Sequence, residues 1–335
     1  MRKIISTLLI FCTMSAISAQ VPYPTLGKIT QFDPALKTLI SIDAKIEVLA
    51  SGYIWTEGPV WLKESNSLLF SDVPANTIYH WNENEGVKVF LKPSGYTGLG
   101  PYSEEPGSNG LIINQKGELI ACEHGDRRVS AMPLTSGGKR TLADNFQGKR
   151  FNSPNDIVQH SSGAYYFTDP PYGLPNKQDD ASRELDFGVY RIATDGKVTL
   201  VANDLVRPNG LAFSPDEKIL YVAQSYIDRA IYMAYAVKPD GTLEKGKVLF
   251  DATPILNEGP FTGLPDGMKI DKKGNLFATG PGGVLIISPE GKLLGRIETG
   301  LGTANCAWGD DGSTLYITAK NYLCRVRTLT KGIGF

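Results

Sequence analysis

The feature that most constrains the fold of this chain is a sequence pattern that occurs six times between residues 57 and 319. Each copy begins with Glu, Asn or Asp, continues as an alternating apolar run, turns, and ends in a second apolar run. The turn always lies seven residues after the second position of the copy. The copies are EGPVWLKESNSLLFSD (57–72), NGLIINQKGELIACEH (109–124), NDIVQHSSGAYYFTDP (155–170), NGLAFSPDEKILYVAQS (209–225), DGMKIDKKGNLFATG (266–280) and NCAWGDDGSTLYITA (305–319).

Each copy is predicted to form a β-hairpin, because two short alternating runs joined by a tight turn are typical of paired antiparallel strands. Most copies are followed by further strand-like runs, such as TIYHW and VKVFL after the first. Units of about four strands that repeat roughly every 40–50 residues predict the blades of a propeller. The expected fold class is all-β, a six-bladed β-propeller with four-stranded blades. The run SIDAKIEVLASG (41–52) is expected to supply the outer strand of the last blade.

Composition limits the classes of partner. The 335 residues include 34 Lys and Arg against 35 Asp and Glu, a formal net charge of −1. Because a near-neutral chain presents no broad basic surface, neither nucleic acid nor an anionic membrane is expected as a partner. The 41% hydrophobic fraction, with 36 Gly and 21 Pro, fits a globular and turn-rich protein.

The N-terminal segment is typical of a secretory signal peptide. Arg2 and Lys3 precede a short apolar run, and small residues follow up to Ala19. No later run of about 18 apolar residues occurs, so no membrane anchor is expected. The chain is therefore expected to be exported, to the periplasm or out of the cell. The predicted organisation is a signal peptide (1–19), an N-terminal extension (20–40) and one propeller domain (41–335).

The cysteines give little evidence for cross-links, although export permits disulfides. Cys12 belongs to the predicted signal peptide, which leaves Cys122, Cys306 and Cys324. Three cysteines cannot all pair, and these lack the close spacing of a zinc site. Buried thiols are expected, with a bridge between Cys306 and Cys324 as the alternative.

The strand order predicts that the functional residues gather on one face. If the innermost strand of each blade starts at the first residue of its copy, the long segments 92–108, 170–188 and 251–265 all lie at that same end. Long ordered loops on a rigid scaffold commonly carry function. The first residues of the six copies are then expected to ring this mouth of the central channel: Glu57, Asn109, Asn155, Asn209, Asp266 and Asn305.

This ring of carboxylate and amide oxygens predicts a site for one divalent cation. Glu57 and Asp266 supply two negative charges, and the set contains no Cys or His. Ca²⁺ is therefore the expected ion, with Mg²⁺, Mn²⁺ or Zn²⁺ as alternatives. A competing explanation is that Asn and Asp simply turn the chain before each strand. It accounts for Asn109 and Asn305 and also suits Asp266 in LPDGM, but it fails for Glu57 because Glu is a poor turn residue.

Five motifs at these positions closely resemble the family of senescence marker protein 30, gluconolactonase and luciferin-regenerating enzyme. The motifs are EGPVW (57–61), RFNSPNDIV (150–158), YFTDPPYG (166–173), RPNGLAFSPD (207–216) and PDGMKID (265–271). The resemblance covers roughly residues 40–330 and is greatest to exported bacterial gluconolactonases. It implies a six-bladed propeller with one divalent cation on its axis and, for many members, hydrolysis of lactones.

The resemblance also implies roles for individual residues. Glu57, Asn209 and Asp266 resemble the metal ligands of the family, and Asn155 resembles a further asparagine that borders or binds the metal. Asp266 also matches the position that transfers a proton. Arg150 resembles a substrate-contacting arginine, although NSP makes its motif two residues longer than the RFND of animal members.

The expected function is the opening of a sugar lactone, such as glucono-1,5-lactone, by metal-assisted attack of water. The sequence contains no G-x-S-x-G motif for a nucleophilic serine. His124, at the same end of the channel, is expected to hold a hydroxyl of this small-molecule substrate, with transfer of protons or bonding of a loop as the alternatives. Tyr172 is expected to stack on the sugar ring, with packing of its loop as the alternative. Two other functions remain open: a non-catalytic calcium-stabilised propeller that binds sugar or protein, and an arylesterase or other hydrolase on the same scaffold. The sequence does not indicate an oligomeric state.

Overall fold

The structure, a computed structural model, describes residues 22–135 and 137–335. The predicted signal peptide, residues 1–19, lies outside this part of the chain. In the part of the chain that the structure describes, three strands precede the first repeat: β1 (Thr25–Leu26), β2 (Lys28–Gln31) and β3 (Ile46–Ser51). Within the described residues, none of the helices combines the length and the apolar character needed to cross a membrane.

The repeats fold as the six blades of a β-propeller, which confirms the predicted fold class. The first three blades are β4 (Thr56–Leu62), β5 (Ser67–Asp72), β6 (Thr77–Asn82) and β7 (Gly86–Leu91); β8 (Ser108–Ile113), β9 (Glu118–Glu123), β10 (Arg128–Pro133) and β11 (Arg140–Ala143); and, after the small hairpin β12 (Asn145–Phe146) and β13 (Lys149–Arg150), β14 (Ile157–Gln159), β15 (Tyr165–Asp169), β16 (Gly188–Ile192) and β17 (Val198–Ala202).

The remaining three blades follow the same order from the inside outward. They are β18 (Pro208–Phe213), β19 (Ile219–Gln224), β20 (Ile231–Ala236) and β21 (Lys247–Asp251); β22 (Met268–Ile270), β23 (Leu276–Gly280), β24 (Gly283–Ile287) and β25 (Leu293–Glu298); and β26 (Thr303–Gly309), β27 (Thr314–Ala319) and β28 (Tyr322–Arg327), completed by β3. Among the described residues, the helical segments are two 3₁₀ helices, Pro34–Thr38 and Lys177–Asp179, and α1 (Thr253–Glu258). The innermost strands contact their neighbours all the way round, with β26 against β4.

Each hairpin turn between the first two strands of a blade contains a residue with positive φ. Glycine and asparagine adopt this conformation at little cost, which suits five of the six turns, and the remaining turn uses Glu217. The residues are Asn66, Gly117, Gly163, Glu217, Gly274 and Gly312. Four of the residues lie at the predicted offset of seven, and Asn66 and Gly312 lie one residue to either side of it.

The core lies between the faces of adjacent blades. Phe151, Phe167 and Tyr190 form one mutually packed group of buried rings in the third blade, against the second. Between the sixth and first blades, Tyr316 stacks on Trp61 with ring centroids 5.2 Å apart. A four-stranded sheet has two apolar faces, and stacking around a ring covers both.

The ring is closed by the N-terminal part of the chain. β3 pairs with β28 and forms the outer strand of the last blade, which confirms the expectation for residues 41–52. Residues 25–31, which belong to the segment 20–40 expected as an extension before the propeller, also form strands of the blades. β1 adds a fifth strand to the last blade beside β3, and β2 adds a fifth strand to the fifth blade beside β25. These residues are part of the propeller because each strand satisfies an edge that would otherwise be exposed.

The three cysteines in the described residues, Cys122, Cys306 and Cys324, are free and buried. Ile317 on β27 pairs with Cys306 on one side and with Cys324 on the other, so a whole strand separates the two thiols. Burial raises the pKa of each of these two thiols to about 12. The expected buried thiols are confirmed, and the alternative bridge is absent from the described structure.

Candidate active site

A cavity of about 410 Å³ lies at the mouth of the channel where the innermost strands begin. Its lining includes five of the six side chains that the repeats predict to converge there. They are Glu57, Asn109, Asn155, Asn209 and Asp266. The set combines two carboxylates with three amides, and each comes from a different blade.

Irregular pairing at the start of the innermost strands positions these side chains. In four blades the register between the first two strands shifts within the first residues of the inner strand. In the other two, β14 and β22 begin only after Asn155 and Asp266. Bulges and late pairing of this kind redirect side chains and are common beside active sites. Here they free the first residue of each repeat from the regular alternation of the sheet.

The glycine that follows several of these residues allows neighbouring blades to approach closely. A Cβ added at Gly58 would lie 2.0 Å from the carbonyl oxygen of Asn109, and one at Gly210 would lie 2.2 Å from that of Asp266. Any larger residue would push the inner strands apart. The Glu-Gly and Asn-Gly pairs of the sequence are therefore a packing requirement at the channel axis.

A repeated hydrogen-bond arrangement holds the chain just before three of the cavity residues. The last residue of the second strand accepts backbone N–H groups from positions two and three residues earlier than the cavity residue. Asp72 accepts from Ile54 and Trp55 at 3.1 Å each, ahead of Glu57. Asp169 does the same ahead of Asn155, whereas Gln224 accepts one such N–H ahead of Asn209. Their bonds are Asn152 N to Asp169 Oδ2 and Ser153 N to Asp169 Oδ1, both 2.8 Å, and Val206 N to Gln224 Oε1, 2.8 Å.

Replacing Asp169 by Asn is expected to lower the free energy of unfolding by about 1–3 kcal/mol. Asp169 also accepts from Asn152 Nδ2 at 2.9 Å, so both of its oxygens are needed as acceptors. An amide offers one acceptor oxygen and would leave a buried N–H without a partner. Urea unfolding followed by tryptophan fluorescence measures the change. The control is Asp43→Asn at an exposed loop position, and equal stability of the two variants would contradict the prediction.

Two ionised carboxylates without a nearby cation are unfavourable in this cavity. Burial is the largest cause of a raised pKa at both Glu57 and Asp266. The charge of Asp156 raises the pKa of Glu57 further, and the charge of Glu57 does the same for Asp266. Buried like charges that raise one another's pKa are stabilised in their ionised form by a bound cation.

Buried acceptor oxygens without hydrogen-bond partners support a cation at this site. Asn209 donates from Nδ2 to Ser225 Oγ at 2.9 Å, which leaves its Oδ1 without a hydrogen-bond partner among the described residues. Asn109 Oδ1 and Asp156 Oδ2 are also buried and unpaired there. Buried acceptors without donors are costly unless a ligand satisfies them. The candidate oxygen donors of the cavity lining belong to carboxylates and amides, which hard cations prefer.

Asn305 departs from the pattern of the other five residues. It is absent from the cavity lining, and its Oδ1 accepts from the backbone N–H of Cys306 at 2.9 Å. The Asn305 amide lowers the pKa of Asp156, although burial keeps that pKa above its usual value. The Asn305 side chain therefore stabilises the backbone at the start of its own strand. This agrees with the explanation that Asn305 turns the chain, and not with a ligand role.

The predicted substrate-contacting residues have different locations. Tyr172 lines the cavity, and its hydroxyl lies 3.4 Å from the carbonyl oxygen of Ser225. Arg150 is exposed, donates to the carbonyl oxygen of Asp126 at 3.0 Å and lines a separate cavity. His124 is completely buried and does not belong to the cavity lining. The structure therefore brings only Tyr172 of these three together with the candidate metal ligands.

Four further residues at the site were not singled out from the sequence. Trp55, Glu105 and Arg207 line the cavity, and Trp55 Nε1 donates to Glu57 Oε1 at 3.3 Å. Asp156 does not line the cavity, but its charge raises the pKa of Glu57. Asp156 and Arg207 lie within two residues of predicted ligands in the quoted motifs, so the sequence could have identified them. Glu105 lies in a loop outside the repeats, where no pattern distinguishes it from its neighbours.

Comparison with known proteins gives one consistent result. The family model described as SMP-30/Gluconolactonase/LRE-like region matches residues 55–321. A gluconolactonase of Zymomonas mobilis is 44% identical over 315 residues, covering 92% of this chain and 88% of the relative.

Solved structures agree with the sequence relatives. A gluconolactonase from Xanthomonas campestris superposes with a TM-score of 0.78 at 31% identity, over 92% of this chain and 99% of the other. Regucalcin from Agrobacterium tumefaciens, described as a calcium-binding protein, superposes with a TM-score of 0.67 at 19% identity, over 92% and 96% of the two chains. At that identity the second likeness concerns the fold alone.

Proposed function

The chain belongs to the SMP-30/gluconolactonase/LRE-like family and is a lactone hydrolase, and from this we propose that it opens sugar lactones with the help of one divalent cation. The observation that carries the proposal is the convergence of Glu57, Asn155, Asn209 and Asp266 around one cavity. We propose these four as the ligands and Ca²⁺ as the ion, because hard cations prefer carboxylate and amide oxygens. A divalent cation held there supplies Lewis-acid polarisation of the lactone carbonyl.

The side chains of the cavity suggest how water is added to the lactone. Asp266 is the proposed general base, because it is a buried carboxylate in the lining of the cavity that would hold the lactone. As the water oxygen bonds to the carbonyl carbon, Asp266 accepts the proton of that water. When the bond from this carbon to the ring oxygen breaks, Asp266 returns the proton to the leaving alkoxide. The product is the open hydroxy acid.

Two further residues orient the lactone in this scheme. The Asn155 amide has a donor beside its acceptor oxygen and stabilises the negative charge that develops on the carbonyl oxygen. Burial raises the pKa of Tyr172, so its hydroxyl stays neutral and forms a polar wall for the ring. We also propose that the enzyme is exported, because residues 1–19 have the pattern of a secretory signal peptide.

Hydrolysis of a lactone and of an aryl ester, each followed by proton release, tests the function. The purified protein is given glucono-1,5-lactone and phenyl acetate, before and after EDTA treatment and again after addition of Ca²⁺. We expect turnover of the lactone that disappears with EDTA and returns with Ca²⁺. Full turnover after complete removal of cations would overturn the metal dependence. Preference for phenyl acetate would indicate an arylesterase, and tight lactone binding without turnover would indicate a non-catalytic propeller.

A further inference from the structure

The loop between the first two blades places one carboxylate in the cavity. Glu105 lines it together with Glu57 and Asp266, and its side chain remains 30% exposed. The adjacent Glu104 points elsewhere: its side chain is 80% exposed and accepts from Lys177 Nζ at 3.1 Å. Neighbouring residues of the same type thus have different surroundings, and only Glu105 faces the site.

The Glu105 carboxylate has no hydrogen-bond donor among the described residues. Its closest basic contact is His124 Nδ1, 3.9 Å from Oε2. Burial lowers the pKa of His124 to about 4, so the imidazole is neutral near pH 7 and forms no ion pair. Arg207, the basic residue in the lining, donates instead to Gln178 Oε1 at 3.0 Å. Glu105 is therefore an acceptor with free capacity on the cavity wall.

The backbone around Glu105 is held firmly in place. His124 Nδ1 lies 3.2 Å from the carbonyl oxygen of Glu105, which can only accept, so Nδ1 carries the proton and donates. The backbone N–H of His124 donates to Gly107 at 3.1 Å, and that of Gly125 donates to Pro106 at 3.0 Å. These bonds fix the backbone that carries the Glu105 side chain, so less conformational entropy is lost when its carboxylate binds a ligand. This assigns His124 a positioning role behind Glu105.

We propose that Glu105 is a specificity-determining residue that accepts hydrogen bonds from hydroxyl groups of the lactone ring. The inference rests on the proposed function, because it requires the lactone carbonyl to lie beside Glu57 and Asp266. A sugar lactone differs from a plain cyclic ester in its ring hydroxyls, which need acceptors once water is displaced. A site that bonds a substrate hydroxyl discriminates strongly against an analogue that lacks it.

The test compares Glu105→Gln with the matched control Glu104→Gln on two six-membered lactones. Glucono-1,5-lactone carries hydroxyls and δ-valerolactone carries none. For Glu105→Gln we expect kcat/KM to fall about 10- to 100-fold more on glucono-1,5-lactone than on δ-valerolactone, the range for a hydrogen bond to a charged group. Glu104→Gln is expected to match the parent protein on both.

Three results would overturn this inference: unchanged hydrolysis of glucono-1,5-lactone by Glu105→Gln, an equal fall on both lactones, or loss of Ca²⁺ binding in that variant. Ca²⁺ binding is measured separately, as the rise in melting temperature on adding Ca²⁺, so a ligand role is distinguished from recognition of hydroxyls. Failure of the proposed function has a different signature, since the parent protein would then hydrolyse neither lactone.

Discussion

Replacing Glu57 by Gln is expected to reduce kcat/KM for glucono-1,5-lactone by about 10³-fold or more. The substitution keeps the length of the side chain but removes one of the two charges among the proposed ligands. Stabilisation of the transition state by a bound cation is worth several kcal/mol, and each 1.36 kcal/mol is about tenfold in rate. Proton release measured over a range of lactone concentrations gives the rate constants.

A second measurement on the same variant does not depend on turnover. A ligand that binds only the folded protein stabilises it by about 2.7 kcal/mol at 100 times its dissociation constant. Ca²⁺ is therefore expected to raise the melting temperature of the parent protein by a few degrees and that of Glu57→Gln hardly at all. The control is Glu64→Gln in the exposed turn after β4. The assignment is wrong if Glu57→Gln retains full turnover or the full Ca²⁺-induced shift.

Removing residues 1–52 is expected to abolish cooperative folding. The deletion takes away β1, β2 and β3 and leaves β28 as an open edge. It also removes five aliphatic residues that are at most 5% exposed: Ile29, Leu36, Leu39, Ile40 and Ile46. At about 1.5–3 kcal/mol for each buried side chain, the loss is on the order of 10 kcal/mol, comparable to the whole stability of a typical domain.

Two shorter deletions provide the comparison. A chain that starts at residue 20 retains every described strand and is expected to unfold like the full protein. A chain that starts at residue 41 keeps β3 and is expected to fold with reduced stability, since it loses the packing of the 3₁₀ helix Pro34–Thr38. Urea unfolding and size-exclusion chromatography measure the outcome. Equal midpoints for the chains that start at residues 20 and 53 would contradict the importance of ring closure.

The fold was predictable because the same hairpin pattern occurs six times in the sequence. A constant turn offset fixes the hairpins, and polar residues at equivalent positions of equivalent strands must meet at the axis. That symmetry located Glu57, Asn155, Asn209 and Asp266 at one cavity without knowledge of any contact. It also explains the departure at Asn305, because the symmetry of the backbone does not fix the partners of a side chain.

The residues outside the repeats were not predictable in the same way. Arg150 was placed by its motif, but the small hairpin of β12 and β13 directs it to a different cavity. Glu105 depends on how a long loop packs against His124, a contact that only tertiary structure defines. The contribution of residues 25–31 to two blades was also missed, since strands of two to four residues carry almost no periodic signal.

The pairing of β3 with β28 joins residues that are separated by nearly the whole length of the chain. The entropy of closing so long a loop must be overcome before any contact of that strand contributes to stability, and folding rates fall as contacts become less local. During synthesis the N-terminal strand emerges first and has no partner until the final blade has been made. The early blades are therefore expected to collapse first, with their unpaired edges exposed to aggregation, until the two ends of the chain meet.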